Sequence, residues 1–129
     1  MAIRVALVED HAELRTTLKL FLRFLGNSEV VFVANNGREA VDCAQHHKPD
    51  ILVMDIRMPI LDGLEATRQI VELALPTRVI LISSFSGSGT IQAARKVGAA
   101  AFIHKKDLIE SLPKALKTVY DGGHFFPEE

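Results

Sequence analysis

The run Ile51-Leu52-Val53-Met54, together with Asp55 that ends it, decides the fold. A strand with one face in water alternates apolar and polar side chains. Here four apolar side chains follow one another, so both faces must be covered. Val5-Ala6-Leu7-Val8 and Val79-Ile80-Leu81-Ile82 read the same way. With these cores, strands are expected at 3–8, 30–33, 51–54, 79–82 and 101–103. Between them the apolar spacing becomes helical. Leu14, Leu18, Phe21, Leu22 and Leu25 share one face before Gly26-Asn27 stops the helix. Ala40, Val41 and Ala44 form a second stripe ended by Pro49, and Leu64, Thr67, Ile70 and Val71 a third before Pro76. Ile91, Ala94 and Val97 run into Gly98, and Leu108, Leu112, Ala115, Leu116 and Val119 into Gly122-Gly123. Strand–helix alternation of this kind implies right-handed crossovers and a parallel sheet between two helical layers, a three-layer α/β/α sandwich. The pattern leaves the strand order open.

Composition narrows the function. The chain has 129 residues, one domain's worth at roughly 150 residues per domain. Fifteen basic against sixteen acidic residues leave a net charge of −1, which excludes a general polyanion binder. A hydrophobic content of 48% excludes a disordered chain. The lone Cys43 cannot form an internal bridge and is read as a packing residue in a reducing, cytoplasmic setting. The longest run without polar side chains, 97–103, falls far short of the about 20 residues that span a bilayer, so no membrane association is expected.

Ligands of open α/β sheets bind beyond the carboxyl ends of the strands. Glu9 and Asp10 follow the first strand, Asp55 the third, Ser83 and Ser84 the fourth, and Lys105 the fifth. Each alone has an ordinary reading: a helix N-cap, a strand-end hydroxyl, a surface charge. Together they place three carboxylates, a hydroxyl and an ammonium at one crevice. Three neighbouring acids repel unless a cation neutralises them, and hard oxygen donors select Mg²⁺. A carboxylate beside a metal, a hydroxyl and a fixed ammonium is the equipment for phosphoryl transfer to Asp. Asp55 is the central acceptor, with Glu9 and Asp10 holding the metal. Ser83 and Lys105 neutralise or bond phosphoryl oxygens.

The segments VALVEDHAELR, ILVMDIRMPILDGLEATRQI, RVILISS and GAAAFIHKKD closely resemble the receiver domains of two-component response regulators, nearly from end to end. The resemblance implies a flavodoxin-like sheet of order 2-1-3-4-5 with Asp55 as phospho-acceptor. It further implies Mg²⁺ (or Mn²⁺) held by Asp10, Asp55 and the backbone carbonyl of Arg57, with Glu9 completing the acidic pair. Ser83 takes the switch hydroxyl position, Lys105 that of the phosphate-binding lysine and Phe102 that of the switch aromatic. Ser84 stands where Ala is common and alters access to the phosphate. The implied partners are a sensor histidine kinase and, on activation, a second copy of the chain.

The ending KALKTVYDGGHFFPEE resembles receivers joined to a LuxR-type helix-turn-helix output domain. Residues 1–123 are therefore expected to form the receiver, and 124–129 the start of a linker or a tail. DNA would be bound only through an output domain that this chain lacks. A stand-alone receiver in a phosphorelay is the alternative. A phosphatase using Asp as nucleophile is a further one, disfavoured because Asp55-Ile56-Arg57 puts a cation where a second acid is needed. The chain is thus expected to catalyse only its own phosphorylation and slow dephosphorylation. SGSGT (86–90) lacks the phosphate-loop lysine, and the glycine-free turn VEDHAE excludes flavin or dinucleotide binding. The stretch Ser86-Gly87-Ser88-Gly89 is read as a flexible lead into the fourth helix. Five histidines offer no transition-metal pattern, and His11 and His104 are read as a loop and a structural residue.

Overall fold

The protein was analysed as a computed structural model that describes residues 2–85 and 87–127. Five strands and five helices alternate: β1 (Ile3–Val8), α1 (Ala12–Leu25), β2 (Ser28–Ala34), α2 (Gly37–His47), β3 (Ile51–Asp55), α3 (Gly63–Glu72), β4 (Arg78–Ser83), α4 (Ser88–Lys96), β5 (Ala101–His104) and α5 (Leu108–Tyr120). A short 3₁₀ turn, Lys105–Asp107, leads into α5. The strands form one parallel sheet of order β2-β1-β3-β4-β5, the order the family resemblance implies.

The apolar runs end where they were expected to and no side chain in them is wasted. Val5 to Val8, Ile51 to Met54 and Val79 to Ile82 are all buried. One core, on the side of α1 and α5, packs Leu18, Leu22, Leu112 and Leu116 against Val5, Leu7, Val53 and Ile80. The other, on the side of α2, α3 and α4, packs Ala44, Ile70 and Ile91 against Ala6, Met54, Leu81 and Phe102. β2 is an edge strand, so its side chains are only partly covered and Val33 is exposed.

Local chemistry sets the ends of the helices. Gly26 adopts φ +78 past α1, the left-handed stop that glycine takes without strain. The Asn36 side chain accepts from the Glu39 N–H and that of Asp62 from the Glu65 N–H, capping α2 and α3. Two glycines are required by close approach. A Cβ on Gly37 would lie 2.1 Å from the Leu61 carbonyl oxygen, and one on Gly63 would lie 2.3 Å from that of Asp55. The loop after β3 therefore folds flat against the strand end, tied by Gly63 N–H to Ile56 O at 2.7 Å. Val71, assigned above to the buried stripe of α3, is exposed instead; Thr67 and Ile70 supply that face. Of the glycine–serine lead into α4, Gly87 is the N-cap without a side-chain bond and Ser86 lies outside the described residues.

Candidate functional site

Parallel pairing places the strand ends side by side. Val8 pairs with Met54, so Glu9 emerges next to Asp55. Asp55 pairs with Ile82, so Ser83 emerges on its other side. Ser83 in turn pairs with His104, whose successor is Lys105. Four chemically useful side chains from four strands thus meet at one edge.

The lysine organises them. Lys105 Nζ donates to Asp55 Oδ2 at 3.0 Å and lies 3.1 Å from Glu9 Oε1. Both acids are buried, at 5% and 1% exposure, while the lysine side chain is 19% exposed. The other Asp55 oxygen, Oδ1, accepts from the Arg57 backbone N–H at 3.3 Å. Glu9 Oε2 accepts from the His11 N–H at 3.1 Å. Glu9 Oε1 is paired in charge with Lys105 but aligned for no hydrogen bond, a buried oxygen with spare capacity. Asp10 is exposed at the mouth.

Burial chiefly pushes the Glu9 carboxyl above its ordinary range, helped by the Asp55 charge and opposed by the His11 N–H and Lys105. Burial also works to lower Lys105, but its bond to Asp55 and its charge pairing with Glu9 outweigh it and the ammonium titrates above its ordinary value. The reading that only an external cation separates these acids is therefore incomplete: Lys105 already stands between two of them. Glu9, Asp10, Asp55 and Lys105 still sum to −2, so a further cation remains favourable.

A divalent ion fits the donor set. Glu9, Asp10 and His11 each offer a ligand atom, all within 4.8 Å of one another. Glu9 Oε1 is a buried oxygen without a hydrogen-bond partner, and the two carboxylates are hard ligands suited to Mg²⁺; Asp55 and Arg57, which the resemblance implies as ligands, are not in that group.

Ser83 is buried, and its Oγ accepts from the Phe85 N–H at 3.0 Å, leaving the hydroxyl proton free to be donated. Ser84 is exposed beside it. Phe102 is fully buried in the core under α4. Lys106, the next residue, is exposed, and its N–H bonds His104 Nδ1. The sequence reading missed a clasp over the site: the Arg57 guanidinium stacks 4.1 Å above the Phe85 ring. Its signal was present. Arg57 and Phe85 each stand two residues beyond a functional side chain, Asp55 and Ser83, and each returns its N–H to it.

The response regulator receiver domain family matches residues 5–117. The chain belongs to this family. LnrK of Bacillus subtilis, a transcriptional regulatory protein, is 32% identical over 127 residues, covering 98% of this chain and 58% of its relative. The signal receiver domain of NarL from Mycobacterium tuberculosis superposes with a TM-score of 0.90 at 31% identity, covering 94% and 98% of the two chains. CheY in a CheX–CheY–BeF₃–Mg²⁺ complex from Borrelia burgdorferi gives 0.84 at 26%, covering 92% and 89%. Regulators of the LuxR family are among the solved structures that share this fold. The receiver spans about a third to three-fifths of the curated relatives it matches. No helix among the described residues is long and apolar enough to cross a membrane.

Proposed function

We propose that this receiver is a phosphorylation switch in which Asp55 takes a phosphoryl group from a phosphohistidine of a sensor histidine kinase. The observation that carries it is Lys105 held between two buried carboxylates at the mouth of β3, beside a hydroxyl whose proton is free. An Asp55 oxygen attacks phosphorus, the P–N bond breaks, and its electron pair returns to the imidazole. Lys105 exchanges an Asp55 oxygen for a phosphoryl oxygen, and Ser83 donates its hydroxyl proton to another. Mg²⁺, held by Asp10, Asp55 and the Arg57 carbonyl with Glu9 behind them, would supply charge neutralisation to the incoming phosphoryl group. With no second acid–base residue at position 57, the aspartyl phosphate hydrolyses slowly, and the protein catalyses nothing beyond its own phosphorylation and its reversal.

Drawing Ser83 toward the phosphate pulls the β4–α4 loop inward and repacks the ring of Phe102, which reshapes the α4–β5–α5 face. In this reading residues 1–123 form the cytoplasmic switch and 124–129 lead toward an output, in LuxR-type relatives a DNA-binding domain. Dimerisation would follow activation. Intact-mass analysis with acetyl phosphate and Mg²⁺ tests the assignment. One added phosphoryl group is expected, lost in Asp55→Ala; labelling that survives the substitution, or phosphate on Ser83, refutes it.

A further inference from the structure

Past α5 the chain does not leave the domain. Gly122, at φ +94, turns it back, and Gly123 to Pro127 run along the open edge of β5. Phe125 N–H donates to Ala100 O and Phe102 N–H donates to Phe125 O, both at 3.0 Å, so the tail adds one parallel rung to the sheet. Two aromatic side chains then fix it on both sides. Phe125 packs on the α1–α5 core. Phe126 packs on the other core, the one that contains Phe102, and the Arg95 guanidinium of α4 lies 4.2 Å over its ring. Arg78 ties the turn by donating to the carbonyls of Val119 and Gly123 at 3.0 and 2.8 Å. A groove of about 310 Å³ is lined by Ile91 of α4, Phe102 of β5, Ser111 of α5 and the tail residues Phe125 to Pro127.

The tail therefore touches the same short strand that carries the site lysine. Phe102 binds it through its backbone, and three residues later Lys105 reaches Asp55. Phe126 is also wedged between β5 and α4, the helix that follows Ser83 and its loop.

We propose that the segment from Gly123 to Pro127 is a strap whose docking on β5 is coupled to the Asp55 site, an anion there tightening the strap and the docked strap strengthening anion binding. The coupling rests on Asp55 being the phosphoryl site. An oxyanion on Asp55 holds Lys105, and hence the end of β5, more firmly, which lowers the ordering cost of the rung at Phe102. The same anion draws Ser83 and the start of α4 inward, closing Arg95 and Ile91 on Phe126. A chain continuing beyond Pro127 would then leave from a point on the α4 side of β5 that is held more firmly when the site is filled than when it is empty.

Amide hydrogen exchange with beryllofluoride and Mg²⁺ tests this. Both ladder amides, Phe102 and Phe125, should exchange about threefold or more slowly on addition. Because coupling is reciprocal, Phe126→Ala, shown to be folded by circular dichroism, should bind beryllofluoride more weakly by the same factor. It should also lose protection at Phe125 without ligand. If the Arg57 and Phe85 amides respond but Phe125 exchange is unchanged or faster, the coupling is overturned while the Asp55 reading stands. If neither Arg57 nor Phe85 responds, the Asp55 reading fails and the coupling with it. Unaltered beryllofluoride affinity in Phe126→Ala also overturns the strap.

Discussion

Replacing Lys105 by methionine keeps the length and the apolar stem but removes the charge that separates Glu9 from Asp55. Both acids are almost fully buried, so the variant would hold two unshielded carboxylates at the ends of neighbouring strands. Deleting one partner of a buried pair typically costs about 3–5 kcal/mol. The lysine side chain is a fifth exposed, and water screens part of the interaction, which brings the figure to about 2–3 kcal/mol. At about 3–6 °C per kcal/mol for a domain of this size, the melting temperature should fall by about 6–18 °C at pH 8 in EDTA.

The loss must also depend on pH with a definite sign. Glu9 titrates above its ordinary value of 4.5 in the folded protein. A carboxyl raised in this way costs nothing while it is protonated in both states, and its cost grows as pH rises through the folded value. Removing Lys105 raises that value further. The gap between variant and wild type should therefore be widest at pH 8 and narrow as pH falls toward 5. Circular dichroism is the assay, since the chain has no Trp. Mg²⁺ should restore part of the loss by substituting for the missing cation. A variant that melts with wild type at pH 8, or a deficit that widens on acidification, refutes the electrostatic account.

Four further outcomes are expected. Mg²⁺ at about ten times its dissociation constant should stabilise wild type by RT ln 11, about 1.4 kcal/mol, or about 4–8 °C. Asp55→Asn should melt slightly above wild type in EDTA, the relief from repulsion being offset by its weaker bond to Lys105, and should gain less from Mg²⁺; thermal melts in both buffers check this. Gly63→Ala should lose about 2 kcal/mol or more in urea unfolding because its Cβ would press the Asp55 carbonyl, whereas Gly89→Ala, inside α4 with open space around it, should gain about 0.5–1 kcal/mol. Cys43, buried with its thiol pushed up to about 11, should resist iodoacetamide in the native protein at pH 8 and react once unfolded, as mass spectrometry will show.

What could be read from sequence is what local pattern and family likeness encode. Burial on both faces leaves an uninterrupted apolar run, so β1, β3 and β4 were visible within a residue or two. β2, an edge strand, and β5, only four residues long, were visible mainly by position in the alternation. Strand order came through the receiver resemblance, because pairing partners lie far apart in sequence and periodicity is blind to them. The same limit explains the misassigned Val71. A helical stripe predicts which face is inward, but not how wide a strip the sheet covers, and α3 buries only the centre of it. Lys105 was read from its place just after the fifth strand. That its ammonium bridges two acids was not legible, since it depends on the separation of β1 and β3. The docked tail escaped for a related reason: it is a contact between a terminus and an edge strand, where no repeat exists to be read.

The position of Lys105 bears on why such a site can act as a switch rather than a trap. Three acids with no internal cation would bind a divalent ion so strongly, and fold so poorly without it, that the domain's stability would follow the metal. A lysine between two of them keeps the unfilled site folded at a net charge of −2. On the proposed reading, an arriving phosphoryl group does not have to recruit its cation from solvent; it takes over one that Asp55 already holds at 3.0 Å. On that reading the lysine trades one oxyanion for another and keeps its charge partnered throughout. What changes is on the other side of Asp55, where the Ser83 hydroxyl has a proton to donate and, among the described residues, no acceptor for it. On the proposed reading, the driving force for motion is thereby concentrated in β4 and the loop leading to α4, while β1 and β3 stay in place. On the proposed reading, charge compensation by β5 and hydrogen-bond capture by β4 are separate tasks on neighbouring strands, and the face between α4 and α5 is where both are felt.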